Sequence, residues 1–221
     1  MAANYRAVLF DLDGTLADTL KDLANATNWG LTQLGCPNHY LDDFRRMVGD
    51  GNRQLCARAL PDDRQGLVDE LMRLMRDRYA AHCFDNTRLY PGIAELVVKL
   101  AERNFKLAVL SNKRDEFTKQ MIAHFFTPSP FSIVRGQIAG VPLKPDPTAA
   151  LQLANELSIP PAEWLYLGDT NTDMRTARAA GMHPVGVLWG FRERHELEES
   201  GAEFIIAAPQ DLLNLLPDAA H

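Results

Sequence analysis

Ala7-Val8-Leu9-Phe10-Asp11-Leu12-Asp13-Gly14-Thr15-Leu16 opens as an unbroken apolar run and passes at once into two aspartates, a glycine and a threonine. A short apolar run bounded by turn residues reads as a strand buried on both faces. Strand side chains alternate between faces, so Asp11 and Asp13 point the same way if extended geometry continues to Asp13. Like charges held side by side repel unless a cation joins them, and a bound divalent metal is the usual one. Aspartates at a strand end also form turns, and an isolated Asp-x-Asp is read that way first. The rest of the chain decides between the two.

A length of 221 residues allows one large domain or two smaller ones with a full core. A hydrophobic share of 46% and a charged share of 24% are those of an ordinary globular protein. The formal net charge of −6 argues against a basic nucleic-acid-binding surface, so no nucleic-acid partner is expected. No apolar stretch reaches the length of a membrane span, and the first residues lack the apolar core of a signal peptide. Cys36, Cys56 and Cys83 form no CxxC and are expected as reduced, partly buried thiols, which suits the cytoplasm. No HxH or HExxH spacing supports an imidazole metal site. The tail from Pro217 to His221 is expected to fray, and the sequence assigns no oligomeric state.

Two textures divide the chain. From about Ala17 to Phe84 it reads as helices only. Asp18-Thr19 with Asp22 resembles a capping box opening a helix to about Leu34, stopped by Gly35 and Pro37. A second helical region, Leu41 to Leu60, is broken at Gly49-Asp50-Gly51, and Leu67, Leu71, Leu74, Met75 and Tyr79 mark a third helix. From Tyr90 strands and helices alternate. Pro91-Gly92 opens a helix carrying Ile93, Leu96, Val97 and Leu100 on one face. Strands are predicted at Leu107–Leu110, Ser132–Arg135, Trp164–Leu167, Pro184–Leu188 and Phe204–Ile206, with helices near 116–126, 147–157 and 173–180, the last stopped by Gly181. Apolar strands alternating with helices indicate an α/β fold, a parallel sheet with helices on both faces, joined by the opening strand and interrupted by the helical block. Both crossings, near Leu16-Ala17-Asp18 and near Asn86 to Tyr90, are short, as hinges are.

Ligands of open parallel sheets bind beyond the carboxyl ends of the strands. The first strand ends in Asp11 and Asp13, Leu107–Leu110 in Ser111-Asn112-Lys113, and Trp164–Leu167 in Gly168-Asp169-Thr170-Asn171-Thr172-Asp173. Lys144-Pro145-Asp146-Pro147 precedes a helix. Carboxylates, a hydroxyl, backbone amides and an ammonium group suit magnesium-assisted phosphoryl transfer, because the hard cation takes oxygen ligands and neutralises phosphate and carboxylate together.

These four segments, in this order, resemble the motifs of the haloacid dehalogenase (HAD) superfamily: Asp11-Leu12-Asp13-Gly14-Thr15, Ser111-Asn112, Lys144-Pro145-Asp146-Pro147, and Gly168-Asp169 through Asp173. The helical insertion, with Val48-Gly49-Asp50-Gly51, Gly186-Val187-Leu188-Trp189-Gly190 and Gly201-Ala202, is similar to its phosphoglycolate phosphatase-like branch. The resemblance spans essentially the whole chain. It implies a Rossmann-like core domain, residues 1–16 and 88–221, and a small all-helical cap, residues 17–87, inserted after the first strand.

The resemblance further implies roles. Asp11 is the expected nucleophile, forming an aspartyl-phosphate. Asp13 is the expected general acid and base. Mg²⁺ is expected on Asp11, Asp169 and the backbone carbonyl of Asp13. Ser111 and the amide of Asn112 are expected to hydrogen-bond the phosphoryl oxygens, with Lys144 adding fixed positive charge. Asp173 is expected to orient Lys144 or a metal-bound water, although Thr172 and Asp173 are equally placed to cap the next helix. Thr15 is expected to position the turn and the general acid. Lys113 and Asp146 receive no role, and Thr170, Asn171 and Thr172 read as loop chemistry.

The expected substrate is a small phosphorylated metabolite, with 2-phosphoglycolate favoured by the resemblance. Arg53, beside the flexible Gly49-Asp50-Gly51, is the candidate partner for a substrate carboxylate, in competition with Arg45 and Arg46. A solvent-facing helix arginine is the alternative. A pyrophosphatase or a phosphosugar mutase of the same fold, and a non-catalytic scaffold binding phosphorylated ligands, are the competing functions.

Overall fold

A computed structural model describes residues 5–216, so the tail beyond Leu216 lies outside the described residues. Its chain divides into two compact units, residues 1–16 with 89–221 and residues 17–88.

The first unit is built on β1 (Ala7–Phe10), β4 (Lys106–Arg114), β5 (Ile133–Gln137), β6 (Trp164–Gly168), β7 (His183–Val187) and β8 (Phe204–Ile206). Two short strands, β2 (Ala17–Asp18) and β3 (Arg88–Leu89), pair separately at the crossings. The main sheet has the order β5-β4-β1-β6-β7-β8, with every neighbour parallel. The chain-opening strand therefore lies inside the sheet, with Leu9 opposite Ala108 on one side and Tyr166 on the other. That position explains its composition: Ala7, Val8, Leu9 and Phe10 are all fully buried, as a strand covered on both faces demands.

One face carries Leu9, Ala108, Leu110, Trp164 and Tyr166 against α7 (Thr148–Glu156) and α8 (Asn171–Ala180). The small residues Ala149, Ala150, Ala154, Ala177 and Ala180 let these helices approach closely. Residues of opposite parity, Val8, Phe10, Val109, Leu165 and Leu167, are just as buried, so the second face is covered too. The apolar stripe Ile93, Leu96, Val97 and Leu100 is the buried side of α5 (Ile93–Glu102), entered through Gly92 at φ 86°. Gly181 ends α8 in the left-handed conformation, as its position predicts.

Three differences from the sequence reading have physical causes. β4 runs four residues past Leu110, through Ser111-Asn112-Lys113-Arg114, with a register irregularity where β5 follows it. Gly136 makes this possible, because a Cβ there would stand 2.5 Å from the Lys113 carbonyl oxygen and 2.6 Å from Asp115 Cα. A short helix, α9 (Arg194–Glu199), was not foreseen, since it buries only Leu197 and so carries no apolar stripe. The terminal helix is instead a 3₁₀ segment, Pro209–Leu215.

In the second unit α1 (Leu20–Gln33), α2 (Leu41–Met47), α3 (Asn52–Ala59) and α4 (Val68–His82) pack together, with Leu71, Met75 and Tyr79 buried on α4. The break between α2 and α3 falls at Gly49 and Gly51, both at positive φ (123° and 85°). The three cysteines are buried thiols. No helix among the described residues is long and apolar enough to cross a membrane.

The expected capping box at Thr19 and Asp22 is corrected by the structure. Thr19 makes no side-chain cap, and Asp22 is drawn instead to the returning chain. Its carboxylate accepts hydrogen bonds from the amides of Asn86 (2.9 Å) and Thr87 (2.8 Å), from Asn86 Nδ2 (2.7 Å) and from Thr87 Oγ1 (2.8 Å). Four donors outweigh a single helix cap. Burial alone would raise the Asp22 pKa, but these donors hold it below the ordinary value. Asp22→Ala is expected to cost about 2–3 kcal/mol. The contribution of a carboxylate with a depressed pKa is complete above its unfolded value and lost as the pH falls through its folded value. The Tm difference between Asp22→Asn and wild type is therefore expected to shrink below about pH 4, which thermal scans at stepped pH would measure.

Candidate active site

Three neighbouring strands, β4, β1 and β6, deliver the polar residues to one end of the sheet. Asp11 directly follows β1, and its amide continues the ladder by donating to Leu167 O (2.9 Å). Asp169 directly follows β6 and is fully buried. Lys144 comes from the loop before α7 and is 4% exposed.

The Lys144 ammonium stands at the centre. It lies 2.9 Å from Asp11 Oδ1, 2.7 Å from Asp173 Oδ1 and 3.1 Å from the Leu110 carbonyl oxygen. Burial would lower the pKa of Lys144, but Asp11 and Asp173 outweigh it and hold it well above the ordinary lysine value. The backbone of Lys144 is itself clamped: Asn112 Oδ1 accepts from its amide (2.9 Å) and Asn112 Nδ2 donates to its carbonyl (3.1 Å). The Asn112 side chain thus sets the lysine in place, a role its position in sequence did not suggest.

Asp173 contacts both the start of α8 and Lys144. Its Oδ2 accepts from the amide (3.1 Å) and hydroxyl (2.6 Å) of Thr170, while the Thr170 hydroxyl accepts from the Asp173 amide in return. This is a complete capping box on α8, with Thr170 rather than Thr172 as the cap. The other oxygen, Oδ1, fixes Lys144. Gly168 makes room for this arrangement, because a Cβ there would overlap Asp173 Cβ.

Asp169 is held from two sides. Thr15 Oγ1 donates to its Oδ1 (3.2 Å) and the amide of Phe191 to its Oδ2 (2.8 Å). Thr15 therefore points its hydroxyl at Asp169 rather than at Asp13. Trp189 Nε1 donates to Thr15 O (3.0 Å), tying the loop after β7 to the loop after β1. Gly14, at φ 89°, and Gly190 flank the same carboxylate, and a Cβ on either would overlap Asp169.

Asp13 is paired with Lys113, whose Nζ lies 2.8 Å and 3.0 Å from its two oxygens. The sequence reading gave Lys113 no role. The signal that could have found it is its spacing: it lies two residues beyond Ser111, at the end of the same strand. Ser111 is buried and its Oγ accepts from the Lys113 amide (3.2 Å), which leaves the hydroxyl proton to be donated elsewhere. Asp146 accepts from the Thr148 amide (2.9 Å) at the start of α7. Arg53 belongs to the helical unit, where it is exposed and paired with Asp69.

The donor set fits a divalent cation. Asp11, Asp169 and Asp173 are buried, with ligand oxygens within 4.8 Å of one another. Asp11 Oδ1 is buried without an aligned hydrogen-bond donor, since Lys144 approaches at ion-pair distance only. Burial pushes the Asp11 carboxyl up to about 7, opposed by Lys144 and reinforced by Asp173 and Asp13. Burial, then Asp173 and Asp11, raises Asp169 well above the carboxylate range, against the Phe191 amide and Arg192. The buried carboxylates Asp11, Asp169 and Asp173 outnumber the buried Lys144 ammonium between them, an excess of negative charge that a divalent cation would offset.

Parallel strands ending in paired aspartates, a serine and a buried lysine on a carboxylate define a class of hydrolase. The haloacid dehalogenase-like hydrolase family matches residues 8–187, and this chain belongs to that family. It is 32% identical over 211 residues to a phosphoglycolate phosphatase of Aquifex aeolicus, covering 96% of each chain. It is 31% identical to one of Pseudomonas putida, over 97% of this chain and 80% of the relative. A solved protein from Lactobacillus delbrueckii subsp. bulgaricus, provisionally named a phosphoglycolate phosphatase, superposes with a TM-score of 0.91 at 29% identity, covering 97% of this chain and 100% of its own. The chain is a phosphatase of phosphoric monoesters within the family.

Without a bound cation, ionising Asp11 is unfavourable in the folded protein. A raised carboxyl pKa costs nothing below about pH 4, where the group is protonated folded and unfolded, and its full penalty applies above about pH 7. Metal-free Asp11→Asn is therefore expected to melt at a higher temperature than metal-free wild type at pH 8, with the difference vanishing near pH 4. Scanning fluorimetry in the presence of a chelator checks this, and adding Mg²⁺ is expected to raise the wild-type Tm more than that of the variant.

Proposed function

We propose that this chain is a magnesium-dependent phosphatase that hydrolyses 2-phosphoglycolate through an aspartyl-phosphate on Asp11. The observation that carries the reading is the placement of Asp11, with one buried oxygen lacking an aligned donor beside the Lys144 ammonium. The names of the relatives in Aquifex aeolicus and Pseudomonas putida supply the substrate.

In the proposed reaction a carboxylate oxygen of Asp11 attacks phosphorus as the bond to the leaving oxygen breaks. The leaving oxygen takes that electron pair and receives a proton from Asp13. Water then attacks the acyl phosphate, Asp13 takes its proton, and the Asp11 carboxylate departs with its electron pair, leaving inorganic phosphate. Lys144 and the Ser111 hydroxyl, with the amide of Asn112, face the charge that spreads over the phosphoryl oxygens. Asp11, Asp169 and the Asp13 carbonyl would hold Mg²⁺, whose chemistry there is to neutralise phosphate and carboxylate together. Asp173 serves by holding Lys144 in place. Arg53 is the proposed partner for the substrate carboxylate.

Phosphate release with Mg²⁺ across phosphoglycolate, pyrophosphate, hexose phosphates and a nucleotide tests the proposal. The expected result is turnover concentrated on phosphoglycolate, abolished by Asp11→Asn and reduced about 10²–10⁴-fold by Asp13→Asn. Arg53→Ala is expected to raise KM for phosphoglycolate selectively. Preference for pyrophosphate, or an accumulating bisphosphate intermediate from a hexose phosphate, would move the assignment to a pyrophosphatase or a mutase. No turnover by a folded, metal-binding protein would leave the scaffold reading.

A further inference from the structure

Lys113 is a buried charged group at the end of β4 that the proposed reaction does not employ. Its side chain is 2% exposed, more deeply buried than the 13% of the Asp13 it faces. Both Asp13 oxygens are engaged at once, at 2.8 and 3.0 Å. A buried ion pair of this kind is a poor source of stability, because desolvating both charges offsets most of their attraction. Its geometry is specific, however, since the buried Lys113 ammonium meets both oxygens of Asp13.

The lysine is braced at its backbone as well as at its tip. Its amide donates to Ser111 Oγ (3.2 Å) and its carbonyl accepts from Thr118 Oγ1 (3.3 Å). Gly136 on β5 presses against the same carbonyl, leaving no space even for a methyl group. The ammonium is thus delivered from the extension of β4, the strand adjacent to β1. Asp13 belongs to a different segment of the chain. It lies beyond the last residue of β1 and immediately before Gly14, a turn residue at φ 89°. A carboxylate there has two rotatable side-chain bonds and must nevertheless meet the leaving oxygen in one step and water in the next.

We propose that Lys113 is a positioning residue that holds the Asp13 side chain in its working orientation, as the acid in the first step and as the carboxylate base in the second. The inference rests on Asp13 being the acid and base proposed above. It also gives the two lysines separate tasks: Lys144 serves Asp11 and the phosphoryl group, while Lys113 serves Asp13.

Steady-state kinetics with Mg²⁺ on phosphoglycolate, or on whichever panel member turns over, tests this in Lys113→Met, Lys113→Arg, Asp13→Asn and the Asp13→Asn/Lys113→Met double variant. Misplacing a reacting group by about 1 Å costs roughly a hundredfold in rate. Lys113→Met is expected to lower kcat by about that factor with KM within about threefold, and Lys113→Arg to recover about tenfold of the loss. Because Lys113 acts through Asp13, adding Lys113→Met to Asp13→Asn is expected to change kcat less than about threefold. Wild-type kcat in Lys113→Met, or equal losses in the two backgrounds, would overturn the proposal. Should Lys113→Met not fold, ¹⁵N spectra of the lysine ammonium groups decide it. Asp13→Asn is expected to shift the Lys113 resonance and leave that of Lys144 in place, and an unmoved Lys113 resonance would overturn the proposal. Failure of the underlying reaction has a different signature, full turnover by Asp11→Asn and Asp13→Asn.

Discussion

The Lys144 ammonium is the point on which the rest of the site depends. It is buried, reaches two carboxylates and the Leu110 carbonyl within β4, and draws groups from the end of β1, from β4 and from α8 into one cluster. Without it, Asp11 and Asp173 would be like charges close together in a low-dielectric interior, an arrangement that costs several kcal/mol per unpaired ion. The protein invests heavily in holding this one side chain. Asn112 clamps its backbone, Asp173 anchors its tip, and Thr170 fixes Asp173 through the helix cap. The cap of α8 and the organisation of the site are one structure, so folding of the helix and assembly of the chemistry occur together.

The neighbourhood of Asp169 follows the same logic with different means. Thr15 and the Phe191 amide hold its two oxygens, and Gly14 and Gly190 give up side chains so that two loops can close on it. The Trp189 indole ties those loops together. Rigidity here comes from close backbone approach, whereas around Lys144 it comes from charge. Both leave carboxylate oxygens oriented, which is the condition in which a hard cation binds with little reorganisation.

Much of the architecture was legible along the chain. Ala7–Phe10, Leu107–Leu110 and Trp164–Leu167 are apolar without interruption, a pattern that two-sided burial produces, and each ends in residues that have no reason to follow a buried strand unless they do chemistry. Asp11, Asp13, Ser111 and Asp169 stand out at those strand ends, and Lys144 in the loop before α7. Lys113, by contrast, has the composition of an ordinary surface residue, and only the bend of β4 over Gly136 carries it inward. Asn112 was assigned through its amide, but its side chain does the clamping. Asp22 matched a local capping pattern, yet donors from 64 residues away offered it more hydrogen bonds than its own helix could. Local patterns lost wherever a distant partner was better satisfied by the same group.

Most of the strands and helices, and the end of the sheet where the polar residues gather, follow from the linear pattern of the chain. Hydrophobic period and turn residues are local properties, and a parallel sheet places all its strand ends on one side. Which charge answers which was decided by the tertiary structure. Lys113 and Asp13 are 100 residues apart along the chain, and Lys144 and Asp173 are 29 apart. Their contacts depend on strand order, on the continuation of β4 past its apolar core and on space left by individual glycines. Ion pairing and hydrogen bonding act over about 3 Å, a scale on which sequence spacing carries no information until the sheet has closed.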